Sequence, residues 1–203
     1  MLLLWSPSRY SGGMKCLLFS DLHSDRRKAT ELVERSRTVD VAVCAGDLCN
    51  AHQQLERMVE ILSRISVPVI VVAGNNETTS ELRDACTDLP NWHVLHGNSV
   101  VVADTTFWGV GGGIPVTPFG AWSYDFAEDQ AVPLLAGCPQ RGVLVTHSPP
   151  HGALDLSSSG SHLGSLAIRS TIERVRPKLA VCGHIHASGG RQAQLGDNVV
   201  INA

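Results

Sequence analysis

Five short apolar segments of this chain are each followed, within two residues, by a side chain that can bind a metal ion. Their composition predicts buried strands, and the helix-like segments between them predict parallel strands that are covered on both faces. In such sheets, ligands bind at the carboxyl ends of the strands. The chain is therefore predicted to be an α/β protein with its functional residues at one edge. The five segments are Cys16–Phe19, Asp40–Ala45, Val67–Ala73, Gly142–Thr146 and Leu179–Cys182.

The residues that follow these strands are carboxylates, carboxamides and imidazoles. They are Asp21, His23, Asp47, Asn75, His147, His184 and His186. The set contains no thiolate, so it suits Mn, Fe or Zn better than a soft metal or Ca. Seven side chains exceed what one tetrahedral ion needs. They predict two ions, with positions left open for water and substrate.

Two pairs in this set share i, i+2 spacing, namely Asp21 with His23 and His184 with His186. In extended backbone this spacing places both side chains on one face, so we expect each pair to converge on one cation or on two adjacent cations. Each motif alone is a weak signal, because Asp-x-His is common in surface loops. Their occurrence in order, each after a predicted strand, favours a metal site over coincidence.

Further elements are predicted between and after these strands. A short meander of three antiparallel strands is expected in a second sheet, over 92–95, 99–103 and 105–110. The predicted helices are Arg27–Arg37, Leu55–Ile65, Glu81–Cys86, Asp125–Ala136 and Ile168–Arg174, and a last strand is Val199–Ile201. The glycine-rich segment Gly109–Gly120 is expected to be a plain loop or a wall over the metal site. Ser157–Ser161 is expected to be a flexible approach to the next helix, and the alternative is that it supplies hydroxyl or backbone donors to a phosphate.

Length and composition predict one compact domain over residues 14–203. The chain has 203 residues, 43% of them hydrophobic and 17% charged, which fits a single core. Residues 1–13 are expected to form a loose extension, or to precede a true start at Met14. The net charge of −3 argues against nucleic acid bound through an electropositive face. The oligomeric state is not indicated.

The apolar segments also bear on location. The longest, such as Val67–Ala73, are far shorter than the about 20 residues that span a bilayer, so no membrane insertion is expected. The six cysteines form no CxxC pair, and we expect them to be buried, reduced thiols in a cytoplasmic protein.

The ordered motifs D-x-H, G-D, G-N-x-E, H and G-H-x-H resemble those of the calcineurin-like metallophosphoesterase superfamily. The resemblance covers nearly all of Met14–Ala203 and looks closest to small prokaryotic-type members. It is strongest from Thr146–Pro150 through Arg176–Lys178 to Gly183–His186. It implies a four-layer αββα sandwich with two mixed β-sheets flanked by helices.

The resemblance also implies a dinuclear metal centre and an activity. A hydroxide that bridges the two metals would attack the phosphorus of a small phosphoester in line. Asp47 would be the bridging ligand. The first metal would be held by Asp21, His23, Asp47 and His186, and the second by Asp47, Asn75, His147 and His184.

One motif departs from the family pattern. The usual sequence G-N-H-[DE] is Gly74-Asn75-Asn76-Glu77 in this chain. Asn76 can donate a hydrogen bond to a phosphoryl oxygen but cannot protonate a leaving group, and such help is typically worth about 10²–10⁴ in rate. This favours phosphodiesters or activated esters, or another proton donor, for which His151 and His52 are candidates.

Two residues near the predicted metal ligands, Glu77 and Asn50, each have two possible roles. Glu77 either orients a metal ligand or accepts from the backbone at a helix start. Asn50 either contacts a substrate phosphate or shapes a turn.

Two functions other than phosphoester hydrolysis also remain open. One is a catalytically degenerate scaffold for protein interactions, favoured only by Asn76. The other is a metal-storage or sensor domain, which would bind metal without turnover.

Overall fold

The computed structural model describes residues 3–5, as backbone, and residues 13–203. The strands are β1 (Leu3–Trp5), β2 (Cys16–Phe19), β3 (Val41–Cys44), β4 (Val69–Val71), β5 (Trp92–Val94), β6 (Asn98–Val102), β7 (Thr105–Val110), β8 (Val143–Thr146), β9 (Leu179–Cys182), β10 (Arg191–Leu195) and β11 (Asn198–Asn202). The helices are α1 (Arg26–Arg35), α2 (Leu55–Leu62), α3 (Thr79–Ala85), α4 (Glu128–Ala136) and α5 (Leu166–Val175). Short 3₁₀ helices cover Ser36–Thr38 and His186–Ser188.

The strands form two mixed sheets. The first has the order β1-β2-β3-β4-β5, in which β2 to β5 are parallel and β1 is antiparallel. The second has the order β10-β11-β9-β8-β7-β6, with a parallel centre and an antiparallel strand at each edge.

Successive side chains of each strand point to opposite faces of its sheet, and this alternation produces three apolar layers. In β2, Leu17 and Phe19 belong to an apolar cluster that includes residues of α1, α2 and α3, whereas Cys16 and Leu18 belong to the cluster between the two sheets. A third cluster lies between the second sheet and the helices α4 and α5. The protein is therefore a four-layer αββα sandwich, as predicted.

The helices follow local sequence signals. The buried face of α2 consists of Leu55, Met58, Val59 and Leu62, at the i, i+3, i+4 and i+7 spacing of an amphipathic helix. Asp25 caps α1 by accepting from the backbone N–H of Lys28. Such caps satisfy backbone donors that the first helical turn leaves free.

Three strands differ from the predictions. The meander prediction is wrong for β5, which pairs in parallel with β4 in the first sheet because buried Trp92 packs on the helix side of that sheet. Only β6 and β7 form the expected antiparallel hairpin. The strand β10 was not predicted. Within the segment 1–13, expected to be loose, Leu3–Trp5 pairs with β2.

Two further expectations concern the cysteines and the membrane. All six cysteines are buried free thiols. Among the helices of the described residues, none has both the length and the apolar character that a membrane crossing needs.

Candidate metal centre

The predicted ligands meet where the carboxyl ends of the two sheets come together. Asp21, Asp47 and Asn75 follow β2, β3 and β4 of the first sheet, and His147 and His184 follow β8 and β9 of the second. Because the two sheets pack face to face, both rows of strand ends open onto one site. The structure brings all seven predicted side chains to this site.

One cluster is formed by Asp21, His23 and His186, whose ligand atoms lie within 4.8 Å of one another. The Nε2 atoms of His23 and His186 are 3.0 Å apart. Asp21 Oδ1 lies 3.8 Å from His23 Nε2 and 3.5 Å from His186 Nε2. Two imidazole nitrogens and a carboxylate oxygen thus face a common point.

A second cluster surrounds the buried ring of His147. Its Nε2 lies 3.5 Å from Asp47 Oδ1 and 3.1 Å from Asn75 Oδ1, and the ring of His184 is centred 4.9 Å away. The other oxygen of Asp47, Oδ2, lies 3.6 Å from His23 Nε2. Asp47 therefore has one oxygen towards each cluster.

The convergence of these side chains depends on strained backbone. Asp21, His23, Asp47 and His184 all have left-handed φ values, between 46° and 67°, which are uncommon for residues with a Cβ. Asp21 and His23 converge as expected, but the expected extended backbone at these pairs is wrong. Tight left-handed turns direct these side chains, and His184 and His186 lie in different clusters. Such strain concentrates at functional sites.

Hydrogen bonds select the ring nitrogen that each histidine offers. The side-chain Nδ2 of Asn50 donates to the carbonyl of His23. Asn50 Oδ1 therefore accepts from the Nδ1–H of His23, at 2.9 Å. His147 donates from Nδ1 to the carbonyl of Ala45 at 2.7 Å. Each ring, when it loses its second proton, is therefore left unprotonated at Nε2, the nitrogen that faces the centre, as a metal ligand requires.

The charge state of the cluster follows from burial and pairing. Burial and the nearby His147 lower the pKa of His184 to about 3, so its imidazole is neutral. Burial opposes ionisation of Asp21, but hydrogen bonds from His186 and Ser20 and the charge of His147 lower its pKa to about 2. A carboxylate and a neutral imidazole are the forms that bind metal.

Glu77 lies fully buried beneath the centre. Its Oε1 accepts from the backbone N–H groups of Gly74 and Asp47, each at 2.8 Å, and its Oε2 accepts from that of Cys49 at 3.3 Å. Burial, and then the charge of Asp47, raises the pKa of Glu77. The carboxylate joins the turn after β3 to the turn after β4, rather than accepting at a helix start.

Comparison with known proteins agrees with this geometry. Residues 14–203 match the family model of the calcineurin-like phosphoesterase superfamily domain. The chain belongs to that superfamily. Its members are metal-dependent phosphoesterases, and the clustered carboxylates and histidines are candidate metal ligands.

Individual relatives match this chain at low sequence identity and over only part of their own length. The chain is 30% identical to a probable rhamnogalacturonate lyase C of Emericella nidulans over 75% of its own length and 16% of that protein. It is 34% identical to metallophosphoesterase domain-containing protein 1 of Homo sapiens over 45% of its length and 29% of that protein. It thus spans less than a third of either relative. A solved structure, TT1561 of Thermus thermophilus, shares the fold with a TM-score of 0.73 at 17% identity, covering 92% of this chain and 87% of that one.

The asparagine that departs from the calcineurin-like pattern is tied to the centre. Asn76 Nδ2 donates to Asp47 Oδ2 at 2.7 Å, and Asn76 Oδ1 accepts from the backbone N–H of Ala51 at 2.9 Å. Its side chain also lines the cavity above the clusters. One amide hydrogen and Oδ1 are therefore engaged, and only the second amide hydrogen is left for a phosphoryl oxygen.

The two alternative proton donors lie elsewhere. His151 is not among the described residues that line the cavity, and its ring lies tilted against that of His162, with centroids 5.2 Å apart. His52 is held between Glu81 and the carbonyl of Trp122, at 2.8 and 2.6 Å. The structure does not bring either imidazole to the cluster.

A cavity of about 500 Å³ opens over the two clusters. Its walls combine hydroxyl and apolar side chains, among the described residues, with no lysine or arginine. Besides the predicted ligands and Asn76, the lining residues are Phe119, Trp122, Ser157, Ser158, Leu163, Ile185 and Ala187. Phe119 belongs to the glycine-rich loop and Ser157 to the serine-rich segment, so both segments reach the site.

Sequence reasoning missed the residues that orient Asn75. Its Nδ2 donates to Ser123 Oγ at 3.0 Å, which leaves Oδ1 turned towards His147. Ser123 in turn donates to Asp125 Oδ1 at 2.9 Å. The motif Ser-Tyr-Asp follows no predicted strand, so strand-end reasoning had no signal for it.

Proposed function

We propose that this chain hydrolyses a phosphodiester with the help of two divalent metal ions. The observation that carries the proposal is the position of Asp47, with Oδ2 3.6 Å from His23 and Oδ1 3.5 Å from His147. Asp47 would bridge the two ions. Asp21, His23 and His186 would complete the first site, and Asn75, His147 and His184 the second.

The donor set fits two such ions. Its oxygen and imidazole ligands suit Mn, Fe or Zn, and because the Nδ1 atoms of His23 and His147 donate elsewhere, Nε2 is the nitrogen that each ring can offer to a metal. Such ions lower the pKa of water, which supplies a nucleophile at neutral pH, and they neutralise charge on phosphoryl oxygens. The side chains fix the positions at which this chemistry would occur.

The preference for a diester rests on charge. A phosphomonoester has a second pKa of about 6 and carries close to two negative charges at neutral pH, whereas a diester carries one. No lysine or arginine is among the described residues that line the cavity. Ser157 and Ser158 offer only neutral hydroxyls. Asn76 cannot protonate an alkoxide, which further favours substrates with a good leaving group.

The test measures metal content and turnover together. The purified chain, loaded with Mn²⁺ or Zn²⁺, is expected to bind two ions and to hydrolyse bis-p-nitrophenyl phosphate faster than p-nitrophenyl phosphate. Asp47→Asn is expected to lose at least one ion and about 10² or more of the rate. Asp104→Asn is a matched control, because Asp104 also has left-handed backbone, with φ 62° against 57° at Asp47, but lies outside the centre.

Three outcomes would overturn the proposal in different ways. Metal binding without turnover on either ester would favour a storage or sensor domain. Absence of bound metal after loading with both ions would favour the scaffold interpretation. Unchanged turnover in Asp47→Asn would show that the clustered side chains do not carry the reaction.

A further inference from the structure

Two large aromatic side chains stand exposed at the mouth of the metal-centre cavity. Phe119 is 51% and Trp122 41% exposed, and both line the cavity that His23 and His184 also line. Their rings stack with centroids 5.8 Å apart and planes 23° from parallel. Soluble proteins rarely leave such adjacent apolar faces in water without a ligand or partner to cover them.

The backbone that carries the pair is fixed to the metal centre. The carbonyl of Trp122 accepts from His52 Nε2 at 2.6 Å. The next two residues both bond to Asn75. Ser123 Oγ accepts from Asn75 Nδ2 at 3.0 Å, and the backbone N–H of Tyr124 donates to the Asn75 carbonyl at 3.0 Å. Asn75 is a proposed metal ligand, so the position of the rings is set relative to the reacting phosphorus.

The rest of the cavity mouth shows what kind of group fits. Leu163 is 46% exposed, and Ile185 and Ala187 add apolar surface. No lysine or arginine is available among the described lining residues to pair with a second anionic group. Two nearly parallel rings offer flat π faces, on which a third planar ring gains stacking energy that a puckered or acyl group does not.

We propose that Phe119 and Trp122 form a subsite for a planar aromatic substituent of the phosphoester. The ring could come from an aryl alcohol or from a nucleobase, and the shared chemistry is stacking on the pair. The inference rests on the proposed function, since it places the phosphoryl group at the metal centre.

The test uses binding rather than turnover, so that it can fail or succeed independently of the proposed reaction. The probes are the monomethyl esters of benzylphosphonate and cyclohexylmethylphosphonate. They carry the same single negative charge and have rings of similar size, but only the first ring is planar. Their dissociation constants are measured by calorimetry on the Mn²⁺-loaded chain.

The wild type is expected to bind the benzyl ester about tenfold more tightly than the cyclohexylmethyl ester. Trp122→Ala is expected to remove most of this ratio, and Trp122→Phe to retain most of it. Phe119→Ala is a second variant with the same expectation as Trp122→Ala. Val132→Ala, which removes an exposed apolar side chain from α4 with 56% exposure, is expected to leave the ratio unchanged.

Equal binding of the two esters, or a benzyl preference that survives in both alanine variants, would overturn the subsite. The 5′-methylphosphonate of thymidine then separates the sources of the ring. Tighter binding than the benzyl ester supports the subsite with a nucleobase as its occupant, and weaker binding supports it with a simple aryl group. A benzyl preference in a chain without esterase activity would retain the subsite and refute only the proposed reaction.

Discussion

The amide of Asn76 donates a 2.7 Å hydrogen bond to Asp47 Oδ2, the oxygen that faces His23. A residue expected to contact substrate therefore also holds the proposed bridging ligand in place. Groups that orient metal ligands in this way typically contribute about 10–100-fold to metal affinity. Asn76 thus connects the cavity to the metal centre.

Removal of this hydrogen bond should weaken metal binding. In Asn76→Ala, Asp47 Oδ2 loses its amide partner, and we expect the affinity for Mn²⁺ to fall about 10–100-fold. Competition with a chelator measures this change. Asn98→Ala, an exposed substitution on β6, should leave the affinity unchanged. Equal affinities of Asn76→Ala and the wild type would show that Asp47 needs no support from residue 76.

Restoration of the family histidine should change the dependence on the leaving group. In Asn76→His, an imidazole lines the cavity and can protonate a departing alkoxide. Such general acid catalysis typically raises the rate about 10²–10⁴-fold. Turnover of alkyl phosphates should therefore rise relative to that of p-nitrophenyl esters, whose leaving group needs no proton. Rates measured across a series of leaving groups check this. A parallel change on alkyl and aryl esters would contradict a role as proton donor.

Glu77 should stabilise both turns of the metal centre. In Glu77→Gln, an amide NH₂ replaces an oxygen that accepts from Asp47, Gly74 or Cys49. A buried donor would then face a donor, at a cost of about 2 kcal/mol in the free energy of unfolding. Urea denaturation measures this cost. Glu60→Gln, at an exposed residue of α2, should cost less than about 0.5 kcal/mol. A similar small cost at Glu77 would refute its structural role.

The sequence predicted most of the fold because apolar strands and amphipathic helices carry strong local patterns. The bounds of β2 and β9 match the prediction fully. The sheet to which β5 belongs could not be predicted, since strand pairing depends on distant partners. The strand β10 reads Arg-Gln-Ala-Gln-Leu and is largely exposed, so its sequence lacks the apolar signal of a buried strand.

The candidate site was predicted in its residues but not in its geometry. Position after a strand was enough to find Asp47 and His147. The left-handed turns, and the carbonyl and carboxamide that orient the histidine rings, depend on tertiary contacts. Trp122 follows no strand, and its place at the cavity emerges only once His52 and Asn75 hold its segment.

The contacts of His52 predict a pH dependence of stability. Its two ring nitrogens face two acceptors, the carboxylate of Glu81 and the carbonyl of Trp122, and only the imidazolium can donate to both. The carbonyl of Trp122, and then Glu81, raises the pKa of His52 above its ordinary value, and Glu77 adds to this. Because the folded pKa is raised, this stabilisation is complete below the unfolded pKa of about 6.5. It is lost as the pH rises through the folded pKa.

We therefore compare the free energy of unfolding of the wild type with that of His52→Gln across pH. The difference should be greatest at acidic pH, at about 1 kcal/mol or less for a partly exposed pair, and should shrink in alkaline solution. NMR titration of the His52 ring should show a pKa above about 6.5. A difference that grows with pH would mean that the neutral ring is the form that holds the Trp122 segment. A His52 pKa below that of a free histidine would lead to the same conclusion.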